Sequence, residues 1–384
     1  MNVLVVALVA CAAPDVPTPG PTVDGLVVEV PADGLPVTPQ AANNNLATLD
    51  HEGRTWLAWR SAPSHFADPG VELHVLSRGE GEAWRHETTI ALGTDVREPQ
   101  LVVIGGTLRL YFAVLGGDAG DFEPQGMKMS ERTEAGWSPP EDVYLPTFIP
   151  WRTRVVDGIA TMIGYIGGEN VYVAGGDPIE VHWLRTEDGR TWTPMIGGSA
   201  VVHRGGASEA DWVWLPSGGV LAVMRNEAGQ DGAFGSRICT SPGASPAAWD
   251  CVDDPRKFDS PLLFEEGGRY WLVARRTLGH GGRYDLGDDG LSHAEAYFAY
   301  QIAYWQEPKR CALWEVDPQT RSVAWVLDLP SSGDTCFPDH IDRGGGRHEV
   351  WNYTSPLEGP DLSWVEAQHG PTSIGRVTLD LSGA

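Results

Sequence analysis

The sequence predicts an all-β fold, specifically a six-bladed β-propeller, and three observations support it. Tryptophans at positions 84, 137, 192, 249, 325 and 364 follow one another at intervals of 53, 55, 57, 76 and 39 residues. Most of these intervals lie near the length of one four-stranded propeller blade. Alternating apolar segments with glycine turns accompany the tryptophans, and helical periodicity is essentially absent.

The alternating segments predict six β-hairpins, one for each blade. They cover residues 46–60, 99–115, 153–168, 211–225, 261–276 and 338–353. The long interval of 76 residues contains a Gly- and Asp-rich stretch, 278–299, which we interpret as an inserted loop in the fifth blade. We expect Leu26 to Val30 to pair with a C-terminal strand around Thr372 to Leu381, because ring closure removes the open sheet edges.

The N-terminal residues predict export from the cell. An apolar run from Val3 to Ala10 is too short to span a bilayer permanently. Leu8 to Cys11 resembles the bacterial lipobox, which implies that Cys11 carries a lipid; an ordinary secretory signal is the alternative. We therefore divide the chain into a signal peptide at 1–11, a flexible tether at 12–23 and one propeller domain at 24–384. The expected location is the bacterial cell envelope, at the outer membrane or cell surface, with the lipid as the only membrane contact.

The cysteine count fits an oxidising compartment. Without Cys11, four cysteines remain, and an even number favours disulfides. Cys239 with Cys251 would close a loop within one blade, and Cys311 with Cys336 would connect two neighbouring blades. The sequence alone permits three pairings.

Charge and motifs restrict the partners. A net charge of −25 disfavours nucleic acid as a partner of the general surface. The chain contains no CxxC pair and no HExxH, so no cofactor and no metal site of these types is expected. Asp285, Asp288 and Asp289 in the insertion lack the DxDxDG calcium pattern.

Candidate binding residues come from the innermost strands, which line the channel of a propeller. The residues at the start of these strands are unusually polar for a fold that needs no charge there. They are Asn45, Arg97, Glu98, Arg152, Glu209, Asp259, Ser260, Asp334 and Phe337. Three further arginines follow second strands, namely Arg60, Arg225 and Arg276. Five arginines near one mouth predict a carboxylate or another anionic group in the ligand, because the guanidinium fork binds it bidentately.

The residues around the tryptophans resemble a known family. Thr186-Glu187-Asp188-Gly189-Arg190-Thr191-Trp192 resembles the Asp-box turn of sialidases, and residues 77–84 and 130–137 are weaker copies. In such a turn the Thr and Asp side chains satisfy the backbone, and the tryptophan packs between blades. The motif supports the fold and not the chemistry.

The resemblance also implies roles for particular residues. Sialidases use an arginine triad, a tyrosine nucleophile activated by a glutamate, and an aspartate acid/base. Glu209 and Arg225, sixteen residues apart across one hairpin, resemble the glutamate and a triad arginine. Arg60 resembles a further arginine that ends the first hairpin, and Asp68 or His65 stands where the acid/base loop would be.

Two departures distinguish the chain from the family pattern. The first triad arginine should stand near position 45, where the chain has Asn43-Asn44-Asn45. The nucleophilic tyrosine should open the sixth blade, where Phe337 stands instead. Tyr353, at the far end of that hairpin, is the remaining tyrosine candidate.

These features predict a glycan-cleaving enzyme, first a glycoside hydrolase acting on an acidic or uronate-bearing glycan. Hydrolysis needs two carboxyl groups, for which Glu98, Glu209, Asp259 and Asp334 are candidates. The first alternative is a polysaccharide lyase, in which His65 beside Arg60 and Arg97 abstracts a proton next to a bound carboxylate. A non-catalytic glycan-binding lipoprotein is the second, and a protein-interaction propeller that uses the insertion is the third.

Overall fold

Six antiparallel sheets form a ring in the computed structural model, which describes residues 20–230 and 232–383. Each sheet is one blade, and its first strand lies at the central channel. Along each strand, apolar side chains alternate so that both sheet faces pack against neighbouring blades. The predicted six-bladed β-propeller is confirmed.

The first three blades follow in chain order. Blade 1 contains Ala42–His51, Arg54–Ala62, Glu72–Gly79 and Arg85–Ile90. Blade 2 contains Val96–Ile104, Thr107–Leu115, Pro124–Thr133 and two outer pieces, Gly136–Trp137 and Glu141–Pro146. Blade 3 contains Ile149–Val156, Ile159–Ile166, Ile179–Thr186 and the outer pieces Thr193–Pro194 and Val201–Gly205.

The last three blades complete the ring. Blade 4 contains Ala210–Trp214, Val220–Gln230, Ala233–Thr240 and Asp250–Asp254. Blade 5 contains Leu262–Glu266, Arg269–Thr277, Lys309–Asp317 and Ser322–Asp328. Blade 6 contains Asp339–Asp342, Arg347–Thr354, Ser373–Asp380 and the N-terminal strands Thr22–Val23 and Val27–Val30.

The ring closes through the N-terminal segment. Val27 pairs with Arg376 and Val28 with Gly375, as expected from the sequence. Thr22 and Val23 also pair, with Asp380 and Leu379, so the propeller begins inside the segment assigned to the tether. The predicted signal peptide at 1–11, which includes Cys11, and residues 12–19 of the predicted tether lie outside the described residues.

Aromatic side chains connect neighbouring blades. Trp56 meets Trp137 edge to face at 6.3 Å between ring centroids, which joins blades 1 and 2. Trp84 meets Trp351 at 6.3 Å and joins blade 1 to blade 6. Such edge-to-face pairs add about 0.5–1.5 kcal/mol beyond the burial of their area.

One of the six tryptophans does not mark a blade. Trp364 lies in a short helix, α2 (Trp364–Ala367), between the second and third strands of blade 6. Trp325 lies on the outermost strand of blade 5 and is largely exposed. The interval of 39 residues was therefore not a blade length.

The two disulfides have one of the three pairings that the sequence permits, the one that joins Cys239 to Cys251 and Cys311 to Cys336. Cys239 bonds Cys251 within blade 4, across two neighbouring strands. Cys311 in blade 5 bonds Cys336, which stands just before the first strand of blade 6. The second bond therefore holds two blades together next to the channel.

The predicted insertion in blade 5 spans residues 278–308 and contains an α-helix, α1 (His293–Gln306). Ser292 and Glu295 form a capping box at its N-terminus. Short 3₁₀ helices occur at Gly168–Asn170 and His280–Gly282. Among the described residues, no helix is long and apolar enough to cross a bilayer.

The strand connections define two faces of the ring. We call the side that carries the 2–3 loops and the connections between blades the mouth face. We call the opposite side, with the 1–2 and 3–4 hairpin turns, the turn face. The helices α1 and α2 both belong to the mouth face, because each lies in a 2–3 loop.

Candidate functional site

A cavity of about 570 Å³ opens at the mouth face, above the central channel. Loops from blades 1, 2, 3, 5 and 6 surround it. Its polar lining consists of His65, Arg97, Asp121, Glu169, Gln301 and Gln368. Its aromatic lining consists of Phe66, Phe122, Tyr172, Tyr297, Phe298, Trp305 and Trp364.

The first strands begin with residues in an unusual backbone conformation. Asn45, Glu98 and Ser260 have positive φ values of 44°, 56° and 51°. The strand register shifts at Asn45 and at Glu98, which marks a bulge in blades 1 and 2. Bulges and positive φ values at non-glycine residues are concentrated at functional sites, where they redirect side chains. Here the Asn45 amide donates to a Glu98 carboxylate oxygen at 2.8 Å.

His65 forms a dyad with Asp334. The Nδ1 atom of His65 lies 2.8 Å from Oδ2 of Asp334. The other carboxylate oxygen of Asp334 accepts hydrogen bonds from the Tyr353 hydroxyl at 3.0 Å and from Trp364 Nε1 at 3.3 Å. Within the described part of the chain, His65 Nε2 has no hydrogen-bond partner, and the residue lines the cavity.

The electrostatics of the dyad favour a neutral imidazole beside an ionised carboxylate. Burial lowers the pKa of His65, and the nearby negative charge of Asp334 only partly opposes this effect. Burial alone would raise the pKa of Asp334, but His65 and Arg275 outweigh it and lower that pKa. A neutral imidazole whose Nδ1–H faces a carboxylate presents the lone pair of Nε2. His65 can therefore accept a proton from a molecule in the cavity.

Glu98 can donate a proton, whereas His65 can accept one. Burial raises its pKa to about 7; Arg97 opposes this shift, whereas the negative charge of Glu209 adds to it. A carboxyl group with this pKa remains largely protonated in mildly acidic solution and can donate a proton. The chain thus places a proton acceptor and a proton donor in consecutive blades.

Arg60 was predicted to bind the ligand, but its guanidinium donates its hydrogen bonds to other groups of the protein. Its side chain is 0% exposed. Its Nε donates to Asp95 at 2.9 Å, one terminal nitrogen to Ser64 O at 3.1 Å, and the other to Phe66 O at 2.8 Å. Arg60 holds the loop that carries His65, so the ligand-binding role is wrong for this residue.

Arg97 shares Asp95 with Arg60 and also lines the cavity. Its Nε donates to Oδ2 of Asp95 at 2.8 Å, and a terminal nitrogen donates to the His65 carbonyl at 3.3 Å. Nearby negative charges on Asp95 and Glu98 outweigh the effect of burial and raise the pKa of Arg97. Of the predicted arginines, it is the one that lines this cavity.

Arg225 lies among three carboxylates. It contacts Glu209 at 2.6 Å, Glu227 at 3.0 Å and Asp259 at 3.7 Å, measured from one terminal nitrogen to the nearest carboxylate oxygen. The other oxygen of Glu209 accepts from the Ser260 amide at 2.7 Å. The predicted Glu209–Arg225 pair is therefore present, but its charges are already balanced inside the protein.

The arginine of blade 5 that lies among the buried polar groups of the channel is Arg275 and not the predicted Arg276. Arg276 makes two hydrogen bonds with Asp328, at 2.8 and 2.6 Å, away from the channel. Arg275 contacts Asp259 at 3.2 Å and the Tyr353 hydroxyl at 3.4 Å. Because side chains alternate along a strand, neighbouring residues point to opposite faces.

A spacing rule would have identified Arg275. Arg225 stands sixteen residues after Glu209, and Arg275 stands sixteen residues after Asp259. This spacing brings the end of a second strand back beside the start of the first. Tyr353 obeys the same rule relative to Phe337 and lies near Asp334.

The insertion is fixed by buried polar contacts that sequence reasoning missed. Gln301 donates to Glu227 at 2.7 Å, and the Tyr304 hydroxyl donates to Asp259. Lys309 donates to the carbonyls of Tyr304 and Glu307 near the end of α1. Burial is the main reason that the pKa of Lys309 is lowered to about 6. Helix α1 is therefore a firmly attached wall of the cavity.

Three other predicted residues lie in less accessible or more peripheral positions. Asp68 accepts a hydrogen bond from the Gly70 amide at 2.7 Å and stabilises a turn, away from the cavity lining. Arg152 is buried and donates to the carbonyls of Pro261 and Ser260. Tyr353 is 1% exposed, and burial raises the pKa of its hydroxyl well above the ordinary value. A buried tyrosine with a raised pKa is a poor nucleophile.

One group of possible metal ligands occurs in the described residues, on the turn face. Atoms of Glu266, Asp342 and His348 lie within 4.8 Å of one another. Nδ1 of His348 is buried without a hydrogen-bond partner in the described chain, whereas ligating histidines usually donate that second N–H to an acceptor. We assign no metal to this group, and the insertion aspartates do not form another.

Comparisons with known proteins support the fold class. No protein-family profile matches the sequence, and no match was found among curated protein sequences. A sialidase of Trypanosoma rangeli superposes with a TM-score of 0.57 and 13% identity over 94% of this chain and 59% of its own. The same enzyme in complex with sialic acid superposes with a TM-score of 0.56 and 14% identity, over 95% of this chain and 59% of its own. An endosialidase of phage phi92 superposes with a TM-score of 0.56 and 11% identity, over 90% of this chain and 68% of its own.

The chain therefore has the fold of a divergent sialidase-like six-bladed β-propeller. It spans about three-fifths of the length of the T. rangeli chains that it resembles. At these levels of identity the likeness defines the architecture, so activity must be argued from the site.

Proposed function

We propose that the protein is a carbohydrate-active enzyme that cleaves an acidic glycan at the mouth-face cavity, by hydrolysis. The observation that carries this proposal is the His65–Asp334 dyad, whose Nδ1–Oδ2 contact leaves Nε2 for a molecule in the cavity. Glu98 is 7% exposed and is not itself in the cavity lining, but it directly follows Arg97, which is; we assign it as the complementary acid because its pKa is raised to about 7.

The cavity walls support a sugar as the ligand. Aromatic rings dominate one side, and Phe298 and Trp305 of α1 remain substantially exposed there. Pockets of this kind combine apolar and aromatic walls with a few polar groups that determine orientation. Arg97 lines the same cavity and can attract an anionic substituent such as a carboxylate.

The proposed reaction is an acid–base hydrolysis. His65 Nε2 removes a proton from a water molecule, whose oxygen then attacks the anomeric carbon. Glu98 donates its proton to the glycosidic oxygen as the carbon–oxygen bond breaks. Hydrolysis with separate acid and base groups is the logic of inverting glycosidases, although their base is ordinarily a carboxylate. Glu209 remains close to Arg225, and we propose that this pair holds the charge balance of the channel.

The decisive experiment is cleavage of a panel of sialosides and uronate-bearing glycans by the purified, folded protein. Hydrolysis should place the oxygen of isotopically labelled water in the new reducing end, as measured by mass spectrometry. The His65→Gln variant, with unchanged melting temperature, should form product at least about 100-fold more slowly. Binding of a panel member without any product would instead indicate a glycan-binding protein, and we would abandon the enzyme proposal.

A lyase is the second candidate, and the contact between Arg97 and the His65 carbonyl favours it specifically. This contact puts a cation beside the proposed base. In that reaction His65 would remove the proton next to a carboxylate held by Arg97. A carbon–carbon double bond would form as the glycosidic bond breaks, and Glu98 would protonate the leaving oxygen. The product would absorb ultraviolet light and contain no oxygen from labelled water, which separates the two reactions.

We also propose that the protein is exported and anchored by a lipid on Cys11, as the N-terminal sequence suggests. Growth of an expressing bacterium with a labelled fatty acid should label the wild-type protein. The Cys11→Ala variant should remain unlabelled. Equal labelling of the two proteins would show that Cys11 is not the acylated residue.

A further inference from the structure

The loop that carries His65 is held by an unusual set of backbone contacts. Three consecutive carbonyls, those of Ser64, His65 and Phe66, each accept a hydrogen bond from an arginine. Two of these bonds come from Arg60 and the third comes from Arg97. On the other side, the His65 amide donates to Gln368 O at 3.1 Å.

The two arginines form a triad with one carboxylate. Oδ1 of Asp95 accepts from Arg60 Nε at 2.9 Å, and Oδ2 accepts from Arg97 Nε at 2.8 Å. Asp95 is 0% exposed. The pKa of Asp95 is lowered because the two neighbouring arginines outweigh the effect of burial. Buried charged groups at such short distances restrain one another strongly, because removing one leaves the others unpaired.

We propose that Arg60 and Asp95 are positioning residues, which fix the backbone at Ser64 to Phe66 so that the His65 imidazole faces the cavity and reaches Asp334. This inference rests on the proposed role of His65 as the proton acceptor. It gives Arg60 a task different from the ligand binding that its sequence position implies, since no part of its guanidinium reaches the cavity.

The geometry requires an arginine at position 60. Its guanidinium serves Asp95, Asn44, Ser64 and Phe66 with donors in a planar fork. A lysine ammonium is a compact group that cannot serve acceptors spread around such a fork. Arg60→Lys keeps the charge that Asp95 needs, yet it should release part of the loop.

The first test observes the imidazole directly and needs no substrate. Protein labelled with ¹⁵N in its histidines is titrated by NMR, with the His65 signal assigned from the His65→Gln variant. In Arg60→Lys the pKa of His65 should rise toward the ordinary value, because a looser loop admits water to the ring. The charged groups that affect this ring are Asp334, Arg97 and Arg60, and only the last is altered.

Arg109→Lys is the matched control. Arg109 is also a buried arginine that donates to backbone carbonyls, those of Ile104 and Thr107, but it lies on the turn face of blade 2. Its replacement should lower the melting temperature without moving the His65 signal. Equal His65 titration curves in wild type, Arg60→Lys and Arg109→Lys would overturn the proposal, whether or not the protein proves to be an enzyme.

The second test applies once turnover is established. Arg60→Lys should lower kcat about 10- to 100-fold with a much smaller change in KM, because a displaced catalytic group slows the chemical step. In the His65→Gln background, Arg60→Lys should change kcat by less than about twofold, because the effects of two residues that act through one group are not additive. Full additivity would contradict a role through His65.

A milder variant keeps the proposal testable if Arg60→Lys does not fold. Asn44→Ala removes the side-chain oxygen that accepts from Arg60 at 3.2 Å and leaves every charge paired. The His65 pKa should then move in the same direction by a smaller amount. No change in this variant, in a protein with native circular dichroism, would also contradict the inference.

Discussion

Glu98 and Glu209 on the mouth face of the propeller behave in the opposite way to Asp188 on the turn face. On the turn face, Asp188 accepts hydrogen bonds from the amides of Arg190 and Thr191 at 2.8 and 2.7 Å. These bonds lower its pKa. On the mouth face, burial raises the pKa of both Glu98 and Glu209. The first kind of acid stabilises a turn, and the second destabilises the fold when it ionises.

The backbone shows the same division. On the turn face, positive φ values at Glu52 and Asp157 occur within hairpin turns, where such values are required. On the mouth face, Asn45 and Glu98 have them at the start of first strands, where no turn exists. The turn face is therefore shaped for folding, whereas the mouth face keeps local strain that folding alone does not explain.

The largest expected effect is on the mouth face, at His65. His65→Gln should lower kcat by about 10²- to 10⁴-fold, because the proposed general base is lost. His51→Gln, at the first hairpin turn on the other face, should leave kcat unchanged. Steady-state kinetics and thermal melts of both variants measure this. Comparable activity in His65→Gln and wild type would remove the main argument for the proposed reaction.

Glu98→Gln should separate activity from stability. The pKa of Glu98 is about 7 in the folded state, above its value of 4.5 in an ordinary environment. The protonated carboxyl group of Glu98 therefore contributes to the free energy of unfolding. This contribution is complete below about pH 4.5 and is lost as the pH rises through 7. At pH 8, the free energy of unfolding of the Glu98→Gln variant should therefore exceed that of the wild type by about 1–3 kcal/mol, while its kcat falls.

Asp188→Asn should behave in the opposite way. The pKa of Asp188 is lowered in the folded state. The contribution of its carboxylate to the free energy of unfolding is therefore present above the ordinary pKa and is lost in acid. This variant should lose stability at pH 8 and keep wild-type turnover. Urea unfolding at pH 5 and pH 8 provides the comparison. If Glu98→Gln and Asp188→Asn changed the free energy of unfolding with the same sign at pH 8, the contrast between these two acids would be contradicted.

The sequence predicted the turn face better than the mouth face, because the turn face depends on local contacts. In residues 186–192, the Thr186 hydroxyl accepts from the Gly189 amide, Asp188 accepts from the amides of Arg190 and Thr191, and Trp192 packs against Tyr111. All of the turn's own bonds lie within seven consecutive residues. A one-dimensional pattern therefore contains them.

The mouth face depends on contacts between blades, which a pattern along the chain does not contain. His65 and Asp334 are 269 residues apart and meet only because the ring closes. Periodicity did not reveal α1, because aromatic residues cover it on several sides; the Ser292–Glu295 capping box was the available signal. Trp364 looked like a blade marker, yet it donates to Asp334 above the channel.

The aromatic wall predicts an effect on binding more than on rate. Trp305, on α1, lines the cavity and is 38% exposed. Trp305→Ala should raise KM about tenfold with little change in kcat, because stacking on a sugar contributes alike to the bound state and the transition state. Trp325→Ala is the control, since Trp325 belongs to the same blade, is 52% exposed and lies far from the cavity. Equal KM values in the two variants would exclude Trp305 from the binding surface.

The smallest effect on activity is expected at Gly189 on the turn face, where stability alone should change. Gly189 has a φ of 76°, and an added Cβ would lie 2.6 Å from Nε of Arg109. Gly189→Ala should lower the free energy of unfolding by about 1–3 kcal/mol, from backbone strain and steric overlap together. Gly53→Ala provides the reference, because Gly53 has a φ of 70° and open space around it, so it carries the strain without the overlap. We expect Gly189→Ala to be the less stable of the two and both to retain wild-type kcat at a temperature where they are folded. A fall in kcat in Gly189→Ala under those conditions would show that the turn face affects catalysis after all.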